Sequence, residues 1–97
     1  MLQEIAAKGR IHMDTKIALV GIIVEDMVAV ERVNRILHDY REYVVGRMGI
    51  PYHEKDVHII SVVIDAPENA ISSLSGKLGM LEGISVKSVQ TKSKKIV

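Results

Sequence analysis

Val44-Val45-Gly46-Arg47-Met48-Gly49-Ile50-Pro51-Tyr52, with the apolar run from Val57 to Ile64 close behind it, decides how this chain folds. The first stretch reads as a strand, yet it carries two glycines, an arginine and a proline. Proline cannot donate to a hydrogen-bond ladder, so such a strand belongs at a sheet edge. The second stretch is apolar at nearly every position, which marks a central strand. His53-Glu54-Lys55-Asp56 between them is a polar turn. An irregular edge strand therefore leads straight into a buried one.

Working outward, Lys16 to Val24 is a second continuous run of aliphatic and β-branched residues, again a buried strand. Glu25-Asp26 suits a helix entry, where a carboxylate accepts backbone N–H bonds of the first turn. Val30, Val33, Ile36, Leu37 and Tyr40 then recur at helical spacing, with Glu31, Arg32, Arg35 and Asp39 among them. After Val57 to Asp65, Pro67 predicts a helix start with proline in the first turn. Ile71, Leu74 and Leu78 form its apolar stripe, and Gly79 is its expected C-terminal cap. Leu81-Glu82-Gly83 reads as a turn, Ile84 to Thr91 as a fourth strand, and Lys92 onward as a basic tail. The order β-α-β-β-α-β predicts a ferredoxin-like α+β sandwich. It has a four-stranded antiparallel sheet, two helices on one face, and the first and third strands at the centre.

The chain has 97 residues, a formal charge of +1 and no cysteine. That length makes one domain, assigned to residues 14–92, with a basic tail at 93–97. Residues 1–13 are expected to be an extension, disordered or non-native, with Met13 as the natural start. Thiolate metal sites, disulfides and thiol catalysis are excluded. The near-neutral charge argues against duplex DNA as a partner. No apolar run reaches the ~20 residues of a membrane span, so the expectation is a soluble cytoplasmic protein. Phe and Trp are absent, leaving Ile, Val, Leu and Met to build the core.

Two helices cover only one face of such a sheet, and the open face should then be polar. Here both faces are apolar. Ile17, Leu19 and Ile23 share one face of the first strand, while Ala18, Val20, Ile22 and Val24 share the other. A large exposed apolar patch commonly marks an interface, so a homodimer or homotetramer is expected through the open face and the sheet edge.

Arg47 is the sharpest candidate contact for an anion or ligand, since an arginine buried on an apolar strand needs an anionic partner. Gly46 and Gly49 beside it would allow close backbone approach. Glu25 and Asp26 are placed near it, across subunits, as further candidates; for Asp26 alone, a helix cap is the preferred reading. Gly21 is read as room for a packed helix. His53 and His58, with Glu54 and Asp56, are weak metal candidates, because they crowd one turn that is polar for solvation reasons. No metal, no cofactor and no catalytic acid–base set is assigned.

The Gly46-Arg47-Met48-Gly49-Ile50-Pro51-Tyr52 and Ile59-Ile60-Ser61-Val62-Val63 segments, with Ser75-Gly76-Lys77-Leu78-Gly79, resemble the iron-only hydrogenase system regulator family. That family is similar to ACT-type ligand-sensing modules and to the C-terminal domain of nickel-responsive repressors. The resemblance covers about Lys16 to about Thr91 and implies an ACT-like fold and a non-enzymatic regulatory or ligand-sensing role. It departs from the repressors, whose metal site uses His-x-His and a cysteine; here the matching strand offers only His58. Too few residues precede the first strand for a ribbon-helix-helix, so direct DNA binding is not expected. The loop Glu25-Asp26-Met27-Val28 lacks the Pro-Gly of many ACT sites. The alternatives are a structural subunit of a larger complex and a ferredoxin-like dimeric enzyme.

Overall fold

A computed structural model describes residues 14–92. The expectations for residues 1–13, including Met13 as a start, and for the 93–97 tail lie outside the described residues.

Strand β1 (Lys16–Val24) leads to helix α1 (Met27–Asp39), a 3-10 turn (Arg41–Tyr43) and strand β2 (Val44–Tyr52). A second 3-10 turn (His53–Lys55) then precedes β3 (Val57–Ala66), α2 (Glu68–Gly79) and β4 (Ile84–Gln90). The sheet order is β2-β3-β1-β4, and every neighbouring pair is antiparallel. This is the ferredoxin-like α+β arrangement, with Pro51 on an edge strand as its missing donor demands.

Period-two alternation fixes which residues meet the helices. Ala18, Val20, Ile22 and Val24 of β1 are fully buried, as are Ile60, Val62, Ile64 and Ala66 of β3. Helix α1 contributes Ala29, Val33 and Leu37 to this core, and α2 contributes Ile71, Leu74 and Leu78. Burying each large aliphatic side chain is worth roughly 1.5–3 kcal/mol, so this layer carries the stability of the domain. Tyr40, the C-cap of α1, ties the helices together. Its hydroxyl shares a 2.7 Å hydrogen bond with the Ser73 hydroxyl, and the Lys77 ammonium lies 5.3 Å from its ring centre.

The entry to α1 is set by Asp26, whose carboxylate accepts from the Val28 N–H at 3.1 Å. One residue earlier, the Glu25 N–H donates to the Gly83 carbonyl at 2.7 Å. Gly83 has φ +80°, and a Cβ built there would stand 2.6 Å from the Asp26 Cβ. Only glycine meets both demands.

Several local expectations are corrected. Pro67 is the N-cap of α2 and not a residue of its first turn. Gly79 is the last helical residue; Met80 takes the C-cap in right-handed conformation, and the left-handed glycine of this region is Gly83. Gly21 does not face a helix. It pairs with Ser61 and Lys87 in unbroken register, on the face opposite Val20 and Ile22, so it lies on the open side. Its nearest neighbour, the Lys87 carbonyl oxygen, is 3.8 Å from where a Cβ would be. One irregularity does occur in the sheet: the β2–β3 register shifts between Val44 and Gly46, leaving Val45 as the extra residue of a bulge.

The face away from the helices is largely apolar over β1, β2 and β3, while β4 adds Val89 beside Ser85 and Lys87. Ile17, Leu19 and Ile23 of β1, Met48, Ile50 and Tyr52 of β2, and Val89 of β4 are 40–70% exposed. Ile59 and Val63 of β3 lie between them.

Candidate functional site

The last two turns of α1 run alongside edge strand β2. Asn34, Leu37, His38 and Arg41 project from the helix end and the 3-10 turn, while Val44 and Arg47 project from β2 and Val62 from β3. Together they line an open cleft of about 340 Å³. Its floor is Leu37, Val44 and Val62; its rim is Asn34, His38, Arg41 and Arg47. Arg47 stands opposite Val62, a core-facing residue, so its side chain rises on the helix side of the sheet. There one guanidinium nitrogen, Nη2, donates to Asn34 Oδ1 at 2.7 Å. Arg41 Nη1 donates to the His38 carbonyl at 2.9 Å, one of the carbonyls that a helix end leaves without an intrahelical partner.

Arg47 therefore finds a partner within the chain. It is exposed, and an amide oxygen rather than a carboxylate orients it. The neighbouring glycines do not serve close approach within the chain. A Cβ on Gly46 would meet nothing within 4 Å, and one on Gly49 would sit at ordinary contact distance, 3.7 Å, from His58 Nε2. Glu25 and Asp26 are not brought to Arg47 within one chain. They follow β1 and are tied to Gly83 ahead of β4, whereas Arg47 is on β2, beyond β3. Asp26 is occupied as a helix cap.

His53 is exposed in the 3-10 turn, and His58 is half-buried on β3 with no hydrogen-bond partner for its Nδ1. Among the described residues, no three His, Asp or Glu side chains gather in a way that could hold a metal ion. Nearby, the Tyr52 phenol is held above its ordinary value, chiefly by a hydrogen bond with the Glu54 side chain and secondarily by desolvation. Among the described residues, no helix is long and apolar enough to cross a membrane.

His38 and Arg41 were not among the candidates. The signal was present: positions 34, 38 and 41 follow the four-and-three spacing that puts residues on one helical face. The spacing is hard to see in the sequence because the apolar stripe of α1 dominates its periodicity and Arg41 lies just past the helix in the 3-10 turn.

Comparison with known proteins places these features in a lineage. A search of curated proteins gave no match. Among solved structures, the uncharacterized protein TM1266 from Thermotoga maritima superposes with a TM-score of 0.77 at 34% sequence identity. The match covers 80% of this chain and 99% of that one. Residues 16–88, which hold every described strand and helix up to most of β4, match the TM1266-like family, described as "Iron-only hydrogenase system regulator, putative". The chain belongs to the TM1266-like family of iron-only hydrogenase system regulators.

Proposed function

We propose that this chain is a non-enzymatic cytoplasmic module that regulates an iron-only hydrogenase system, works as a homo-oligomer, and responds to a small-molecule ligand. The family description supports the regulatory role. The observation that carries the assembly is the open sheet face. Seven large apolar side chains, Ile17, Leu19, Ile23, Met48, Ile50, Tyr52 and Val89, are exposed together there on each copy. Water-facing apolar surface on that scale is unusual for a monomer. The occupant we assign is a second copy of the chain, because two twisted sheets pack face to face with apolar side chains interdigitating. A twofold axis then buries the same residues on both copies. Gly21 leaves a flat spot at the centre of this face, between Leu19 and Ile23, into which a partner side chain can fit. A ligand that binds one assembly geometry better than another would shift the population, and that shift is the regulatory output.

Light scattering on the full chain at micromolar concentration tests the assembly. The expected mass is a multiple of the chain mass, and Leu19→Asp with Met48→Asp should return it to a monomer that keeps its circular dichroism. A wild-type chain that is monomeric at that concentration would sink the assembly reading. A thermal-shift screen of metabolites tests sensing, since a ligand of the folded form raises the midpoint by mass action. A screen without any stabilising compound would leave a structural subunit as the better description.

A further inference from the structure

The cleft between α1 and β2 gathers cationic side chains and no acid. Its lining includes two arginines and a histidine but neither Asp nor Glu. Among the described residues the one ion pair is Lys16–Glu68, so neither Arg41 nor Arg47 is neutralised by a carboxylate there. Each guanidinium is instead oriented by a neutral oxygen, Asn34 Oδ1 for Arg47 and the His38 carbonyl for Arg41. A guanidinium has five N–H donors in a rigid fork, and each of these spends only one of its nitrogens on its protein partner. The rest are free to meet an oxyanion, which a fork binds through two parallel bonds. Below them the floor is apolar. The volume, about 340 Å³, is at the small end of the range for ligand sites, roughly 300–1,000 Å³.

We propose that this cleft binds a small organic oxyanion, a carboxylate or phosphate carried on a short apolar body. Arg47 and Arg41 grip the charged end, Leu37, Val44 and Val62 receive the body, and Asn34 is the positioning residue for Arg47. The inference rests on the ligand-sensing reading and names the ligand's chemistry. The site lies on the helix side of the sheet, so it stays accessible when the open face is covered. It also joins the end of α1 to the strand that carries Met48 and Ile50 on its other side. An anion held there clamps α1 to β2, and thereby acts on the strand that forms one border of the subunit contact.

The test is isothermal titration of the full-length protein with inorganic phosphate, phenyl phosphate and isovalerate, and with 3-methylbutan-1-ol as the uncharged isostere. Saturable binding by at least one anion is expected, weakened by salt and absent for the alcohol. The phosphate and carboxylate arms tell which headgroup the site takes. Arg47→Ala and Arg41→Ala should each weaken binding about tenfold or more, because each removes charge-assisted hydrogen bonds. Arg35→Ala, outside the cleft, should leave it unchanged. Methyl NMR shifts on titration should centre on Val44 and Val62. Both arginines are exposed, so their loss should leave the circular dichroism intact. Anion binding that neither arginine variant weakens, or shifts centred elsewhere, overturns the cleft assignment while leaving ligand sensing standing. So does a metabolite screen that yields only neutral or cationic ligands. If Arg47→Ala alters the oligomer's mass but not anion binding, Arg47 belongs to a subunit contact and the proposal fails. A chain that binds no small molecule of any class overturns this proposal and the sensing reading together.

Discussion

Gly83→Ala should destabilise the domain by about 2–5 kcal/mol, through two causes that can be separated. The first is conformational. Gly83 sits at φ +80°, a left-handed region that disfavours an L residue by roughly 1–2 kcal/mol. The second is steric. The new Cβ would lie 2.6 Å from the Asp26 Cβ, a separation that must open, and overpacking of this kind costs roughly 1–3 kcal/mol. Asp26 has little freedom to retreat, because its carboxylate caps α1 through Val28 and its neighbour Glu25 is bonded to the Gly83 carbonyl. For a domain of this size each kcal/mol moves the midpoint by about 4–8 °C, so thermal unfolding should fall by roughly 8–40 °C. The assay is urea and thermal unfolding by circular dichroism at one protein concentration, with the oligomer mass checked alongside. Repeating it in an Asp26→Gly background removes the clashing Cβ at a cap cost of only a few tenths of a kcal/mol. There the penalty of Gly83→Ala should shrink to the conformational part, roughly 1–2 kcal/mol. An equal penalty in both backgrounds would refute the contact argument, and a penalty below about 1 kcal/mol would refute both causes.

Three further outcomes are expected. Gly76, inside α2 with nothing within 4 Å of a would-be Cβ, should accept alanine with a gain of about 0.5–1 kcal/mol, seen as a higher urea midpoint; any loss would contradict the open space found there. Tyr40→Phe removes the 2.7 Å bond to Ser73 and should cost about 1 kcal/mol in the same assay, with the ring and its Lys77 contact left in place. Tyr52, raised above 10.0, should titrate late in an NMR ring-shift experiment, and Glu54→Gln should lower its midpoint. Because the folded value is the higher one, its small contribution to stability is present below the unfolded value and lost as pH rises through the folded one.

The strands were legible because continuous aliphatic runs have few other readings. Lys16–Val24 and Val44–Tyr52 begin and end where the pattern does. The core stripe of α2 was equally plain, since Ile71, Leu74 and Leu78 leave one helical face. Gly21 was misread for a physical reason: when both faces of a strand are apolar, alternation no longer says which side a residue takes. The pairings with Ser61 and Lys87 supply that answer, and they are long-range facts. Arg47 was found as a residue but not as a place. Its neighbours, Asn34 on α1 and Arg41 in the 3-10 turn after it, are brought to β2 only by folding. Within one chain Asp26 and Arg47 lie apart, because the crossover order of the sheet puts β3 and β1 between β2 and the Gly83 turn; the expected meeting is one across subunits.

Val45 has a reach beyond its own position. Val44 pairs with Ile64, but Arg47 pairs with Val62, and the extra residue makes the difference. Continue the Val44 register with Val45 paired as an ordinary residue and Arg47 would stand opposite Ser61, pointing away from the helices. Met48, Ile50 and Tyr52 would turn inward by the same step, because a slip of one residue inverts every side chain of a strand. Leaving Val45 out of the ladder as a bulge thus sets the parity of the whole edge. It sends the guanidinium to the cleft and the hydrophobes to the open face in one act. Deleting Val45 should straighten the edge and leave Gly46 opposite Val63 and Arg47 opposite Val62, so both properties should survive it; a change that keeps Val45 but draws it into the regular ladder should abolish both at once. The proposed anion contact and the proposed self-association thus depend together on the parity of one strand.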